Sequence, residues 1–159
     1  TNNLHYEGEL VLALGKGGRN IAATDAHGHL FGYALGLDMT RRDLQTAAGR
    51  QGMPWDTGKA FDASAPLSAV TPVAQSGVLE RGSIRLWVND ALRQDADLSD
   101  LIWKSHEIIS QLSRLYELKA GDLIFTGTPA GVGAVRPGDR LRLAIERLGE
   151  LVVDICPVR

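Results

Sequence analysis

The sequence predicts an α+β fold that is mainly β and carries a few helices. Most of the patterned segments show the apolar runs or alternation typical of strands, and only two show helical spacing. Glycine is abundant, with 18 residues in a chain of 159, and it clusters at turn-like positions. Because glycine adopts the backbone conformations that tight turns require, this distribution favours short strands joined by short connections.

The predicted strands follow one another along the whole chain. They are expected at residues 10–14, 30–38, 83–88, 91–94, 123–126, 140–146 and 151–155. Asn89 and Asp90 separate two of them, and both residue types tolerate the positive φ of a two-residue hairpin turn. Further along, Leu141, Leu143 and Ile145 alternate with mostly polar neighbours, which predicts a strand with one solvent-exposed face.

Two helices are predicted. The longer one spans about residues 98–118, where a stripe recurs at helical spacing before Lys119-Ala120-Gly121 ends it. The stripe consists of Leu98, Leu101, Ile102, Ser105, Ile109, Leu112 and Tyr116. The shorter helix is expected to begin at Thr40, whose hydroxyl can cap the first turn together with Asp43, and to end near residues 49–52.

Length and composition are those of an ordinary globular protein. The chain is expected to form one domain over residues 1–159. A hydrophobic fraction of 44%, a charged fraction of 23% and a net charge of -2 exclude disorder and a general attraction to nucleic acid. No apolar run approaches the roughly 18 residues of a spanning helix, and a signal peptide pattern is absent, so we expect no membrane association and a cytoplasmic location. The single cysteine, Cys156, excludes an intrachain disulfide and agrees with a reducing compartment.

Three carboxylates form the candidate site. Glu7 and Glu9 are separated by one residue at the head of a strand, so both side chains are expected on the same face. Two carboxylates at such a short separation raise each other's pKa unless a cation lies between them. Asp38 lies at the corner between a strand and a helix, where ordered elements hold both sides. The pattern fits either a solvated face or a hard divalent cation such as Mg²⁺, Mn²⁺ or Ca²⁺, and zinc is disfavoured without a histidine or cysteine cluster.

The strand that ends at Asp38 carries its smallest side chains on the face of that carboxylate. They are Gly32, Ala34 and Gly36. Either a ligand or the close approach of another backbone would need this space, and the sequence leaves both interpretations open.

Four motifs occur in order along the chain. They are the opening E-x-E, the stretch GLDMTRRDLQTAAGRQGMPWDTGKAFDASAP at residues 36–66, LWVNDALRQDADLSDLIW at 86–103, and GDLIFTGTPAGVGAVRPGD at 121–139. Together they resemble the fumarylacetoacetate hydrolase family over nearly the whole chain. The D-x-T-R-R-D-L-Q and G-M-P-W-D-x-G-K variants are most similar to the fumarylpyruvate hydrolase branch, which serves gentisate breakdown.

The resemblance implies a mixed β-sandwich roll, usually a homodimer, that holds Mg²⁺ or another divalent ion. Carried over residue by residue, it implies that the metal ligands are Glu7, Glu9 and Asp38. It also implies that the substrate contacts are Gln45, Lys59, Thr128 and Gly127. Of these, Lys59 could stabilise an oxyanion or pair with the distal substrate carboxylate, and Gln45 could orient the substrate or the attacking water. Arg41 and Arg42 fit either a substrate carboxylate or a role at the surface or dimer contact.

The implied activity is hydrolysis of a C–C bond in 2,4-diketo acids (acylpyruvates), with fumarylpyruvate cleaved to fumarate and pyruvate. Oxaloacetate decarboxylation, or isomerisation and decarboxylation of a hydroxy-diene dioate, are alternatives within the family. A non-catalytic module that binds a metal and a 2-oxo acid is an alternative of another class, and a structural partner protein is a third.

Family members usually draw their general base, a histidine helped by a glutamate, from a lid segment upstream of the E-x-E strand. The start at Thr1 without methionine favours a chain that is part of a longer protein containing this segment. His5 is expected at the edge of the site or in packing. His106-Glu107 resembles half of a zinc-protease helix motif, but Ser110 stands where the second histidine is required, so that motif is rejected.

Overall fold

A computed structural model describes residues 1–157 and places eleven strands in three sheets. The strands are β1 (Leu4–Tyr6), β2 (Gly8–Leu14), β3 (Leu30–Leu37), β4 (Thr40–Arg41), β5 (Thr71–Pro72), β6 (Ser83–Val88), β7 (Ala91–Asp97), β8 (Leu123–Phe125), β9 (Gly133–Val135), β10 (Arg140–Ile145) and β11 (Gly149–Asp154). The helices are α1 (Arg42–Arg50), α2 (Asp56–Lys59), α3 (Val73–Ser76) and α4 (Ser105–Leu115), and two 3-10 helices span Ala26–His29 and Leu98–Asp100. The prediction of a mainly β, α+β fold is confirmed.

The sheets have the strand orders β4-β1-β9, β11-β10-β6-β7 and β5-β3-β2-β8, and the described pairs are antiparallel. Strand β2 pairs with β3 and β8 at its two edges, and its residues are buried on both faces along its whole length. This position explains its nearly uninterrupted apolar sequence. The hairpin at Asn89 and Asp90 is confirmed, with φ values of 49° and 66°.

One hydrophobic core joins the two four-stranded sheets. Its largest fully buried aliphatic residues are Leu10, Leu12, Leu35, Leu37, Leu86, Ile109, Leu141, Leu143 and Ile145. Each such side chain contributes about 1.5–3 kcal/mol of transfer free energy when it is fully buried. The sheets meet where β2 begins, because a Cβ atom on Gly8 would lie 2.8 Å from Leu143 and 3.0 Å from Leu86.

The small residues on the Asp38 face of β3 serve close packing. A Cβ atom on Gly32 would lie 2.3 Å from the carbonyl oxygen of Thr71, and one on Gly36 would lie 2.6 Å from the ring of Phe125. Backbone and an aromatic ring therefore already fill the space beside these glycines. Of the two interpretations that the sequence left open, the structure supports packing.

The prediction of one long helix over residues 98–118 is wrong. The chain instead forms the 3-10 helix Leu98–Asp100, leaves helical geometry, and begins α4 only at Ser105. Ile102 and Tyr116, which were expected on the buried stripe, are 92% and 61% exposed.

Polar side chains explain this interruption. Asp97 accepts a hydrogen bond from the Ser99 amide at 2.8 Å and caps the 3-10 helix. Glu107 accepts one from the Lys104 amide at 2.7 Å and closes the first turn of α4. A continuous helix would have used the Lys104 amide internally, so the Glu107 cap marks a new helix start. The Lys104 ammonium group also donates to the carbonyl oxygens of Ser99 and Leu101, which lie in the interrupted segment.

The predicted start of the shorter helix is also wrong, by two residues. Thr40 pairs with β1 as part of β4, and its hydroxyl donates to the carbonyl oxygen of Asp38 at 3.0 Å instead of capping a helix. Helix α1 begins at Arg42 and ends at Arg50, within the expected region. Asp43 accepts a hydrogen bond from the Thr1 hydroxyl at 2.6 Å.

Within residues 1–157, no helix combines the length and the apolar character that crossing a membrane requires. The expectations that residues 1–159 form one domain and that a lid segment precedes Thr1 stay predictions.

We expect Gly32→Ala to lower the free energy of unfolding by about 1–3 kcal/mol, because the new methyl group would press on the Thr71 backbone, which cannot rotate away. Urea denaturation measures this change. Gly28→Ala is the matched control, since a Cβ atom there meets nothing within 4 Å, and its effect should stay within about 0.5 kcal/mol. Equal stability of Gly32→Ala and the wild type would contradict the packing interpretation.

Candidate metal centre

Three carboxylates converge where β1, β2 and β3 meet. One carboxylate oxygen from each of Glu7, Glu9 and Asp38 lies within 4.8 Å of the others. Glu9 is in β2 opposite Gly36 of β3, and the Asp38 amide donates to the Glu7 carbonyl oxygen at 2.9 Å. Strand pairing therefore fixes the acids at one end of the sheet, and Glu7 and Glu9 are only 8% and 3% exposed.

Two basic side chains compensate part of this negative charge. Lys59, at the end of α2, donates to Glu7 Oε2 at 2.7 Å and also to Asp38. Arg42, at the start of α1, donates to the other oxygen of Glu7 and to Gln45 Oε1. Burial alone would raise the pKa of Glu7, but the hydrogen bonds and charges of Lys59 and Arg42 outweigh it and lower that pKa.

The charge of Lys59 is stabilised in turn. Burial by itself would lower the pKa of its ammonium group. Hydrogen bonds and charges from Asp38 and Glu7 outweigh burial and raise that pKa above its ordinary value. The structure thus places a permanent cation beside two of the three acids.

Glu9 has a different environment. Among the described residues no basic side chain lies within 4 Å of its carboxylate, and its hydrogen bond comes from the Gly127 amide at 2.7 Å. Burial raises the pKa of Glu9 to about 7, the Gly127 amide opposes that rise, and the charges of Asp38 and Glu7 add to it. Neighbouring basic side chains therefore compensate the charge of Glu9 less than that of Glu7.

The donor set fits a hard divalent ion. Its three side chains offer only carboxylate oxygens, which suit Mg²⁺, Mn²⁺ and Ca²⁺, and it contains no sulfur or imidazole that would select zinc. The weaker compensation of Glu9 by basic side chains points the same way. The roles of Glu7, Glu9 and Asp38 as metal ligands stay predictions.

The loop after β8 is tied to the same strand end. Gly127 has a φ of +100°, which favours glycine, and it directs its amide at Glu9. The hydroxyl of Thr128 donates to the Gly8 carbonyl oxygen at 2.9 Å and accepts from Gln94 Nε2 at 2.8 Å. The structure therefore brings Gly127 and Thr128 next to the carboxylates.

Sequence reasoning missed Gln94, which is only 1% exposed. Its side-chain oxygen accepts from the Gly8 amide at 3.0 Å, and its amide group donates to Thr128 and to the Pro129 carbonyl oxygen. Gln94 thus joins β7 to the head of β2 and to the loop after β8. The sequence gives only a weak signal that Gln94 is buried, because its neighbours in β7 are mostly polar and do not predict an inward-facing side chain.

Arg42 links Gln45 to the carboxylates. Gln45 contacts Arg42, and Arg42 contacts Glu7, so Gln45 reaches the acids indirectly. The sequence left the role of Arg42 open, and the structure shows that Arg42 forms an ion pair with Glu7. Arg41 instead lies over the ring of Phe61, with its guanidinium carbon 4.2 Å from the ring centroid.

His5 lies at the edge of this network. It is hydrogen-bonded to Asn3 Oδ1 at 2.9 Å and accepts from Arg42 Nε at 3.5 Å. Burial, followed by the positive charge of Arg42, lowers its pKa. Its contacts with Asn3 and Arg42 place His5 beside the carboxylate group and not within it.

A cavity of about 840 Å³ adjoins the loop after β8. Its walls are largely apolar and come from residues 98–103, from α4 and from residues 124–129. The three carboxylates and Lys59 do not line it, but Gly127, Thr128 and Leu10, the residue after Glu9, do.

Comparison with known proteins identifies relatives over almost the entire chain. The family described as "Fumarylacetoacetate (FAA) hydrolase C-terminal" matches residues 1–156. A fumarylpyruvate hydrolase from Ralstonia sp is 48% identical over 157 residues, which are 99% of this chain and 81% of that protein. A mitochondrial oxaloacetate tautomerase from Oryza sativa subsp. japonica is 43% identical over 155 residues, which are 96% of this chain and 68% of that protein.

Solved structures agree with these relatives. The crystal structure of fumarylpyruvate hydrolase from Pseudomonas aeruginosa, in complex with Mn²⁺ and pyruvate, superposes with a TM-score of 0.98 at 51% identity. The match covers 99% of this chain and 68% of that one. On the sequence, the fold and the family match together, the chain belongs to the fumarylacetoacetate hydrolase family.

Proposed function

We propose that this protein is a metal-dependent hydrolase that cleaves fumarylpyruvate to fumarate and pyruvate. The observation that carries the proposal is the buried group of Glu7, Glu9 and Asp38 with Lys59 beside it. The relatives support the substrate, since a fumarylpyruvate hydrolase is 48% identical. The Pseudomonas aeruginosa enzyme was crystallised with Mn²⁺ and pyruvate, and pyruvate is a product of the proposed reaction.

Glu7, Glu9 and Asp38 would hold the ion, and Mg²⁺ or Mn²⁺ fits their oxygen donors best. A divalent ion held there supplies Lewis-acid polarisation of the carboxylate and 2-oxo oxygens of the substrate. Three carboxylates bring three negative charges, so ion binding would also remove the repulsion that acts on Glu9.

In the proposed reaction the oxygen of a water molecule forms a bond to the 4-oxo carbon of the substrate. The bond between C3 and C4 then breaks, and its electron pair remains on the pyruvate fragment as an enolate. The water loses two protons: one ends on C3 to give pyruvate, the other passes to solvent, and the other fragment leaves as fumarate. Negative charge therefore develops first on the 4-oxo oxygen and then on the enolate, and groups that stabilise it there accelerate the reaction.

Lys59 is the side chain placed to stabilise this charge. Its ammonium group is 2.7 Å from Glu7 and stays protonated because two acids raise its pKa. We assign it to the oxyanion at C4 or to the distal carboxylate of the substrate, both of which a fixed cation attracts. Its position on the short helix α2, next to the carboxylates, keeps it close to any bound 2-oxo acid.

Gln45 and Thr128 would position the substrate or the water. Arg42 donates to Gln45 Oε1, so the oxygen of this amide is engaged. The Gln45 amide nitrogen would then donate a hydrogen bond to an oxygen of the substrate or of the attacking water. Thr128 is held by Gly8 and Gln94, so its place at the mouth of the cavity is fixed.

Oxaloacetate tautomerisation is the second candidate, because a relative with that activity is 43% identical. Interconversion of keto and enol forms uses the same stabilisation of an enolate but breaks no C–C bond. A module that binds pyruvate or oxalate without turnover is the outcome that would contradict both enzymatic proposals.

We also propose that the protein is a cytoplasmic homodimer. The exposed apolar side chains Ile102, Trp103, Leu115 and Tyr116 support a second copy as the partner, because one soluble chain seldom exposes so many large apolar groups close together. The exposed free thiol of Cys156 supports a reducing compartment.

Purified protein should release pyruvate from fumarylpyruvate when Mg²⁺ or Mn²⁺ is present and lose this activity with a chelator.

Glu9→Gln keeps the size of the side chain and removes one ligand charge, so we expect metal affinity and kcat/KM to fall by about 100-fold or more. Isothermal titration with Mn²⁺ and a coupled pyruvate assay measure the two effects. Glu150→Gln, which alters a surface ion pair with Arg142, is the matched control and should behave as the wild type. Unchanged Mn²⁺ affinity in Glu9→Gln would overturn the ligand assignment.

Lys59→Met should lower kcat by about 10²–10³-fold while Mn²⁺ still binds, because the variant removes a cation from the transition state and leaves the ligands in place. Steady-state kinetics with fumarylpyruvate and oxaloacetate show whether both reactions need the lysine. Lys119→Met, at an exposed position, is the control. Full turnover by Lys59→Met would exclude the lysine from the mechanism.

A further inference from the structure

A second group of potential ligands lies outside the carboxylate centre and shares no residue with it. One ring nitrogen each of His27 and His106 and one carboxylate oxygen of Glu80 lie within 4.8 Å of one another. His27 is in the 3-10 helix Ala26–His29, Glu80 precedes β6, and His106 is the second residue of α4. The fold therefore brings these side chains together from three distant parts of the sequence.

The two histidines have unsatisfied nitrogen atoms. Among the described residues, His27 Nε2 and His106 Nδ1 are buried and have no hydrogen-bond partner. The rings lie edge to face with centroids 5.3 Å apart. Buried polar atoms without a partner are rare in folded proteins, and two in neighbouring rings indicate an unassigned role.

Glu80 adds a negative charge to the pair. Its side chain is exposed, and it forms no ion pair within 4 Å among residues 1–157. An exposed carboxylate can rotate at little cost, so Glu80 can approach the rings. Ligand atoms of a tetrahedral ion with bonds near 2.1 Å lie about 3.4 Å apart, and small side-chain rotations would close the remaining difference.

The surrounding chain holds both histidines in place. Ser110 of α4 donates to the Ile21 carbonyl oxygen at 2.8 Å, and the Ile21 amide donates to Ser113 at 2.9 Å. These buried contacts fix α4 against the segment that leads to His27. The positive end of α4 disfavours a cation near His106, but Glu107 in the first turn and Glu80 both reduce this effect.

We propose that His27, Glu80 and His106 bind a transition-metal dication of the Zn²⁺ type. Two imidazoles and one carboxylate are the donors that Zn²⁺ and its neighbours prefer, whereas Mg²⁺ prefers oxygen alone. The ion would satisfy buried ring nitrogens and link the 3-10 helix, the segment before β6 and α4. With three protein ligands it would keep a position for water.

Zn²⁺ binding to the purified chain in excess Mg²⁺ tests the proposal. Equilibrium dialysis with elemental analysis should find one Zn²⁺ per chain, and ring ¹⁵N resonances of His27 and His106 should shift. The sequence contains four histidines, so His5 and His29 serve as internal references. Thermal denaturation should show a Tm higher by about 5 °C at a Zn²⁺ concentration near 100 times Kd.

His27→Gln and His106→Gln should each weaken Zn²⁺ binding by about 100-fold or more, and Glu80→Gln by about tenfold or more. His29→Gln is the matched control, because His29 belongs to the same 3-10 helix but contacts the Lys16 carbonyl oxygen and lies outside the cluster. If a histidine variant fails to fold, the exposed Glu80→Gln and the ring resonances of the wild type decide the question. Wild-type affinity in Glu80→Gln and His27→Gln, or no shift of the two ring resonances, would overturn the proposal.

This experiment is independent of the proposed hydrolase activity. Glu9→Gln should keep the Zn²⁺ site, since Glu9 is no part of it, and the histidine variants should keep Mn²⁺ binding at the carboxylates. Loss of one function therefore does not imply loss of the other.

Discussion

Mutual repulsion among three clustered carboxylates is the constraint on which the rest of the site depends. Two buried glutamates and an aspartate meet at one end of a sheet, where water cannot screen them well. Lys59 and Arg42 offset the charges of Glu7 and Asp38, but Glu9 receives only a backbone amide. The pairing of Glu9 with Gly36 and the hydrogen bond from the Asp38 amide to the Glu7 carbonyl oxygen hold the backbone of the acids together. A divalent ion bound there would offset the remaining negative charge.

Hydrogen bonds of one buried side chain, Gln94, hold the backbone around the acids in place. Gln94 satisfies the Gly8 amide, the Thr128 hydroxyl and the Pro129 carbonyl oxygen at once. Without Gln94 the buried Gly8 amide would lose this acceptor, and an unpaired buried amide costs about 1–3 kcal/mol. The Gln94 side chain therefore stabilises the fold and places the loop that carries Gly127 and Thr128. Stability and site geometry are coupled through one buried side chain.

Local patterns in the sequence predicted most strands, because alternation and apolar runs report burial directly. The group of Glu7, Glu9 and Asp38 was predicted from the E-x-E spacing, the corner between strand and helix, and the family resemblance. Helix prediction failed at residues 101–104, where the helical spacing of apolar residues continued but Glu107 capped the Lys104 amide and Lys104 bonded the Leu101 carbonyl oxygen. Both side chains are visible in the sequence, yet periodicity alone cannot weigh them against a continuous helix. Gln94 and the group of His27, Glu80 and His106 could not be predicted, because their partners come from strands and helices far away along the chain. Only the tertiary fold makes them neighbours.

The two groups of proposed ligands, the three carboxylates and the group of His27, Glu80 and His106, differ in their donor atoms, which determine metal selectivity. Carboxylate oxygens alone favour hard ions such as Mg²⁺ and Mn²⁺, whereas imidazole favours softer ions such as Zn²⁺. His106 was set aside in the sequence because Ser110 occupies the place of a second histidine one helical turn further on. In the fold, His27 reaches His106 from a different element. A metal motif can therefore be absent from a helix and still be completed across the tertiary structure, where donor chemistry rather than sequence spacing decides which ion is held.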